Sequence, residues 1–93
     1  MKYRRKPETV EAFLFSPDAE YTAPEWFAEA VRRETVVLDR AINDGAVHVY
    51  GCTIVTEAGK LKAKNGDYVV KGDGGGIFPV RAKIFERQYE REA

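Results

Sequence analysis

Residues 22–33, Thr-Ala-Pro-Glu-Trp-Phe-Ala-Glu-Ala-Val-Arg-Arg, carry the clearest periodic signal in the chain. Trp26, Phe27, Ala30 and Val31 fall on one side of a 3.6-residue period, while Glu25, Glu29, Arg32 and Arg33 fall on the other. Thr22 and Glu25 have the spacing of a capping box, in which hydroxyl and carboxylate each satisfy a backbone N–H. Pro24 is tolerated in a first turn because its missing N–H has no helical partner there. The pattern predicts an amphipathic helix from Thr22 to Arg33 or Glu34, with Trp26 on its buried stripe.

On the amino-terminal side, residues 3–15 read as a strand. Val10, Ala12 and Leu14 alternate with Glu11, Phe13 and Phe15, so apolar residues lie on both faces near its end and predict burial on both sides. Pro7 interrupts the run and places the first residues at a sheet edge. Residues 16–21 read as a loop.

Beyond the helix the signals are short strands and turns. Residues 35–39, short and rich in β-branched side chains, read as a strand. Asn43-Asp44-Gly45 is a turn signal, and residues 46–50 form the next strand, with a bulge or bend at Gly51 before residues 52–56. Turns at 57–60, at Asn65-Gly66 and at 72–76 then separate extended segments at 61–64, 67–71 and 77–80. Tyr68 and Val70 share a face. Residues 82–87 read as one helical turn and 88–91 as a last strand. The expected fold class is α+β, a single domain spanning 1–93. One amphipathic helix packs on a twisted, mostly antiparallel sheet of five to seven strands, with closure into a partial barrel as an option.

Composition restricts the function. A chain of 93 residues with 44% hydrophobic content can fold but buries a modest core, so a homodimer or higher homo-oligomer would add burial. Lys+Arg and Asp+Glu both number 15. This balance argues against duplex nucleic acid as a partner, because affinity for it comes largely from neutralised phosphates. Cys52 is the single cysteine, no apolar run follows the basic start, and no stretch is long and apolar enough to cross a membrane. A reducing cytoplasm is the expected setting.

Several motifs then suggest a resemblance. Lys2-Tyr3-Arg4-Arg5-Lys6-Pro7 with Val10-Glu11-Ala12, and Pro24-Glu25-Trp26 opening the helix, are joined by a closing block. That block runs from Gly66-Asp67-Tyr68-Val69-Val70-Lys71-Gly72 through Phe78-Pro79 to Ile84-Phe85-Glu86 and Tyr89-Glu90. Together they resemble a family of short phage and prophage proteins with a Gly-Asp-Tyr-hydrophobic signature. Two steps depart from that pattern. Gly75-Gly76-Ile77 stands where the family has a Gly-Glu pair before its Tyr-Pro or Phe-Pro step. Arg81-Ala82-Lys83 replaces a common Lys-Pro-Asp. The resemblance implies viral or prophage origin and action in the bacterial host cytoplasm, and it carries over no activity residue by residue.

The residues themselves favour binding over turnover. His48 and Cys52 lie roughly 13 Å apart along a strand, too far to share a metal, and no second histidine or cysteine completes a set. Neither Ser16 nor Cys52 stands in a nucleophile motif. No catalytic group, metal or cofactor is expected. The run 72–76 leads into a strand, so it reads as a turn rather than a phosphate loop. The sequence therefore predicts a non-catalytic accessory binding protein that engages a host or viral protein through an exposed patch or sheet edge. The alternative is an anti-defence protein that sequesters a small nucleotide signal. Arg4, Arg5, Lys71, Arg81 and Lys83 would then grip phosphate, and Trp26 and Tyr68 would offer flat faces to the base.

Overall fold

Lys2–Arg5 (β1) and Glu8–Leu14 (β2) form an antiparallel hairpin, so the segment read as one strand is two. The computed structural model describes residues 2–5 and 8–91; of residues 2–5, 8, 9, 90 and 91 it describes the backbone alone. Lys6 and Pro7, on which the edge expectation rests, lie outside the described residues. The backbone of β1 sits between β2 and Glu90–Arg91 (β8), inside the sheet and not at its edge.

The helical signal divides at Pro24. A one-turn helix, Ala19–Thr22 (α1), precedes Glu25–Arg32 (α2), and Ala23 between them is extended at φ −67°, ψ 153°. The cause is local: a proline ring clashes with a helical conformation at the residue before it. Thr22 consequently caps nothing in α2. Its hydroxyl donates to the Asp18 carbonyl at 3.1 Å, and α2 begins without a side-chain cap. The expected loop at 16–21 thus contains most of α1.

Val36–Asn43 (β3), Ala46–Thr56 (β4) and Gly59–Lys64 (β5) form an antiparallel three-stranded sheet in that order. Asp44 and Gly45 connect β3 to β4 with φ of 52° and 77°, the left-handed pair that a two-residue hairpin turn requires. Tyr68–Lys71 (β6) and Ile77–Val80 (β7) join the first sheet, giving the order β7-β6-β2-β1-β8. Residues 72–76 close the β6–β7 hairpin: the Gly72 amide donates to the Gly76 carbonyl at 2.8 Å, and Gly75 takes φ 88°. Ala82–Gln88 (α3) makes about two turns where one was expected.

The α+β class stands, with three helices and two separate sheets among the described residues where one of each was expected. Neither sheet closes into a barrel; β7 and β8 end the larger one, β3 and β5 the smaller. β2 and β6 of the larger sheet bury residues on both faces, as the alternation in β2 predicts, but Leu14 at the end of β2 is 52% exposed, against the expected burial there. Val10, Ala12 and Val70 pack with Phe85 and Tyr89 on one side. On the other side Phe13, Phe15 and Val69 meet Phe27 of α2 and the inner face of the small sheet. Phe13 and Phe27 stand edge to face at 4.8 Å. A fully buried side chain of this size contributes about 1.5–3 kcal/mol.

Candidate functional site

The structure disperses the residues expected to grip a nucleotide. Arg4 and Arg5 are placed in β1 by backbone only, Arg4 in register with Thr9 and Glu90; their side chains lie outside the described residues. Tyr68 packs in the α3-side core and stacks on Phe85 with centroids 4.1 Å apart and planes 16° from parallel. Its ring therefore faces away from the core to which Trp26 belongs. Lys83 is exposed on α3. Arg81, between β7 and α3, lines a hollow with Lys62, Lys64 and Tyr50.

Trp26 and Lys71 do come together. They line a cleft of about 460 Å³ between α2, the small sheet and the 72–76 turn, with Arg33 at its rim. Trp26 packs against the core as expected but is only half-buried, and its Nε1 is a buried donor with no hydrogen-bond partner among the described residues. The cations here are largely committed. Arg33 Nε donates to Glu29 at 3.0 Å, and Arg32 donates to Glu25 and Glu29 at 2.6 Å each. Hydrogen bonds from Arg32 hold the Glu29 carboxyl below its usual range, and the carboxylates of Glu25 and Glu29 raise Arg32. Lys71 stands in register with Glu11. What remains is an aromatic cleft in which the Lys71 ammonium has no ion-pair partner among the described residues.

His48 and Cys52 are separated further by a bulge. Asp39 pairs with Gly51 but Arg40 pairs with Val49, so Tyr50 is the extra residue in β4 and the alternation inverts there. His48 is exposed on the β3–β4 arm, while Cys52 is fully buried. Burial, with Asp39 and Asp67 nearby, pushes the Cys52 thiol up to about 12. A thiol so far from ionisation is not a nucleophile at neutral pH. Among the described residues, no group of three or more His, Cys, Asp or Glu is arranged to hold a metal, and no helix is long and apolar enough to cross a membrane.

The feature that sequence reading left unlocated is the outer edge of β3. The Val55 amide donates to the Thr35 carbonyl at 2.8 Å, which fixes the phase of the ladder. Antiparallel alternation then turns the N–H and C=O of Val37 toward β4 and those of Val36 and Leu38 outward. Nothing pairs with β3 on that side, and no backbone bond outside the ladder engages Val36 or Leu38 among the described residues. The edge opens into an apolar groove of about 430 Å³ between β3 and α1–α2, walled by Phe27, Ala28 and Val31. Arg40 and Glu20 close one end through a 2.9 Å ion pair. Glu34 sits at the groove as well, with no ion-pair partner among the described residues. Past Arg40 the hairpin arm carries Ile42 and Val47 as a cross-strand pair, 77% and 63% exposed.

A signal for this edge exists in the sequence. β5 places Lys60, Lys62 and Lys64 along the opposite edge of the same sheet, a common guard against strand addition, whereas β3 has no lysine at all. No protein-family model, curated protein or solved structure matches the chain.

Proposed function

We propose that this chain is a non-catalytic accessory protein of phage or prophage origin, working in the bacterial cytoplasm, that binds an extended segment of a partner protein along β3. The observation that carries the reading is the pair of outward-facing backbone positions, Val36 and Leu38, opening into an apolar groove. Strand addition draws affinity from main-chain hydrogen bonds and specificity from pockets for alternate side chains. The groove supplies both. Its wall of Phe27, Ala28 and Val31 suits apolar residues at every second position, and the unpaired Glu34 carboxylate suits a lysine or arginine on the incoming strand. The exposed Ile42–Val47 pair extends the apolar surface beyond the groove.

A displayed library of random peptides, panned on the purified chain, tests this reading. Selected peptides should alternate apolar and polar residues and carry a basic residue at one end. Ala28→Arg, a half-buried helical position where arginine is a good helix former, should abolish their binding while leaving the thermal melt near that of the parent chain. Failure to enrich any extended sequence, or binding indifferent to Ala28→Arg, would refute the proposal.

A further inference from the structure

Where the two sheets meet, beside β5 and the end of β7, lies a hollow of about 450 Å³, within the range of small-molecule sites. Both sheets supply its walls. In the small sheet Asp39, Gly51 and Lys64 stand side by side, and Val37, Thr53 and Lys62 form the next row on the same face. Gly51 lets β5 close in on the bulge, because a Cβ there would meet the Ala63 carbonyl oxygen at 2.4 Å. The extra residue, Tyr50, lines the hollow with its ring half-exposed. Arg81 enters from the other sheet, immediately after β7.

The charges in this hollow differ from those beside Trp26. Lys62, Lys64 and Arg81 are exposed, and none forms an ion pair within 4.0 Å among the described residues. Two carboxylates share the hollow and are only partly engaged. Asp39 receives the Thr53 hydroxyl at 3.0 Å, and Asp67 Oδ2 receives the Lys64 amide at 3.1 Å. Each carboxylate keeps further acceptor sites, because an ionised carboxyl offers about four lone pairs. The hollow thus presents unpaired cations, free acceptors and an aromatic face together. A bare anion would meet the two carboxylates unfavourably. A ligand that also carries N–H donors would satisfy them, and one with a flat ring would use Tyr50.

We infer that this hollow binds a phosphate ester joined to an amino-bearing aromatic ring, the chemistry of a nucleoside monophosphate. Arg81, with Lys62 and Lys64, takes the phosphate; Arg81 can do so bidentately. Asp39 and Asp67 accept from the ring amino group, and Tyr50 stacks on the ring. Of the described residues that the sequence suggests for a nucleotide, Arg81 lines this site and Trp26, Tyr68, Lys71 and Lys83 do not.

Titration of the full chain with AMP, GMP, CMP and UMP, followed by amide NMR, tests the inference. Inorganic phosphate, adenosine and glutamate serve as separate probes. At least one amino-bearing nucleotide should bind with a dissociation constant at or below about 1 mM. It should shift the resonances of Tyr50, Lys62, Lys64 and Arg81, and UMP, which lacks the exocyclic amine, should bind more weakly. Arg81→Ala and Lys62→Ala, both at exposed positions that leave the fold intact, should each weaken binding about tenfold. Lys83→Ala, outside the hollow, should not. Ala28→Arg should also leave the titration unchanged, which separates this site from the β3 groove. Absence of nucleotide binding at about 1 mM would overturn the inference. So would binding that survives Arg81→Ala, or phosphate or glutamate alone binding as tightly as the nucleotides.

Discussion

Cys52 shows how burial settles the chemistry of a single residue. Its thiol is enclosed between the sheets, and desolvation, reinforced by Asp39 and Asp67, moves it from 9.0 to about 12. The raised value means the folded state favours the protonated thiol. This contribution to stability is fully present below about 9, the unfolded value, and is lost as pH rises from there toward about 12. Iodoacetamide should accordingly fail to label the native protein at neutral pH and label it readily in denaturant. Rapid labelling of the native chain would show the thiol to be open. With no second cysteine, a single histidine too far along the strand and no nucleophile motif, Cys52 already reads as structural in the sequence. The sequence also marks a bulge or bend at Gly51; what it does not disclose is that Tyr50 is the extra residue. Alternation alone puts His48, Tyr50 and Cys52 on one face, and the residue at which it inverts depends on the register with β3.

The hairpins and helices were legible wherever a local rule governs them. Asp44-Gly45 and Asn65-Gly66 announce their turns, and the stripe of Phe27 and Ala30 announces the buried face of α2. The break at Ala23 follows from Pro24 but competes with the capping pattern of Thr22 and Glu25, and the steric rule prevails over the cap. α3 was underread because its core contribution rests on few residues. Phe85 is fully buried and stacks on Tyr68 at 4.1 Å and on Tyr89 at 4.6 Å. This three-ring column attaches α3 to the sheet. Phe85→Ala should cost about 3–5 kcal/mol, read from the denaturant midpoint. A loss below about 1 kcal/mol would mean the column contributes little beyond what a surface position does.

At the scale of the whole molecule, long-range pairing decides what the chain offers to others. The sheet order places β6 next to β2 and leaves β3 without an outer neighbour among the described residues; neither fact can be read from spacing along the chain. Hence the described residues expected to form one site, Trp26, Tyr68, Lys71, Arg81 and Lys83, do not converge, and among them Trp26 and Lys71 share a cleft. The molecule extends 46 Å along its long axis against 25 and 22 Å across it. Its unpaired β3 edge, apolar groove and projecting arm form one continuous surface. Amide hydrogen exchange in the free protein tests that surface most directly. The amides of Val36 and Leu38 should exchange much faster than those of Val37 and Asp39, which point into the ladder, and should slow when a selected peptide is bound. Equal protection at all four positions in the free chain would contradict an open β3 edge.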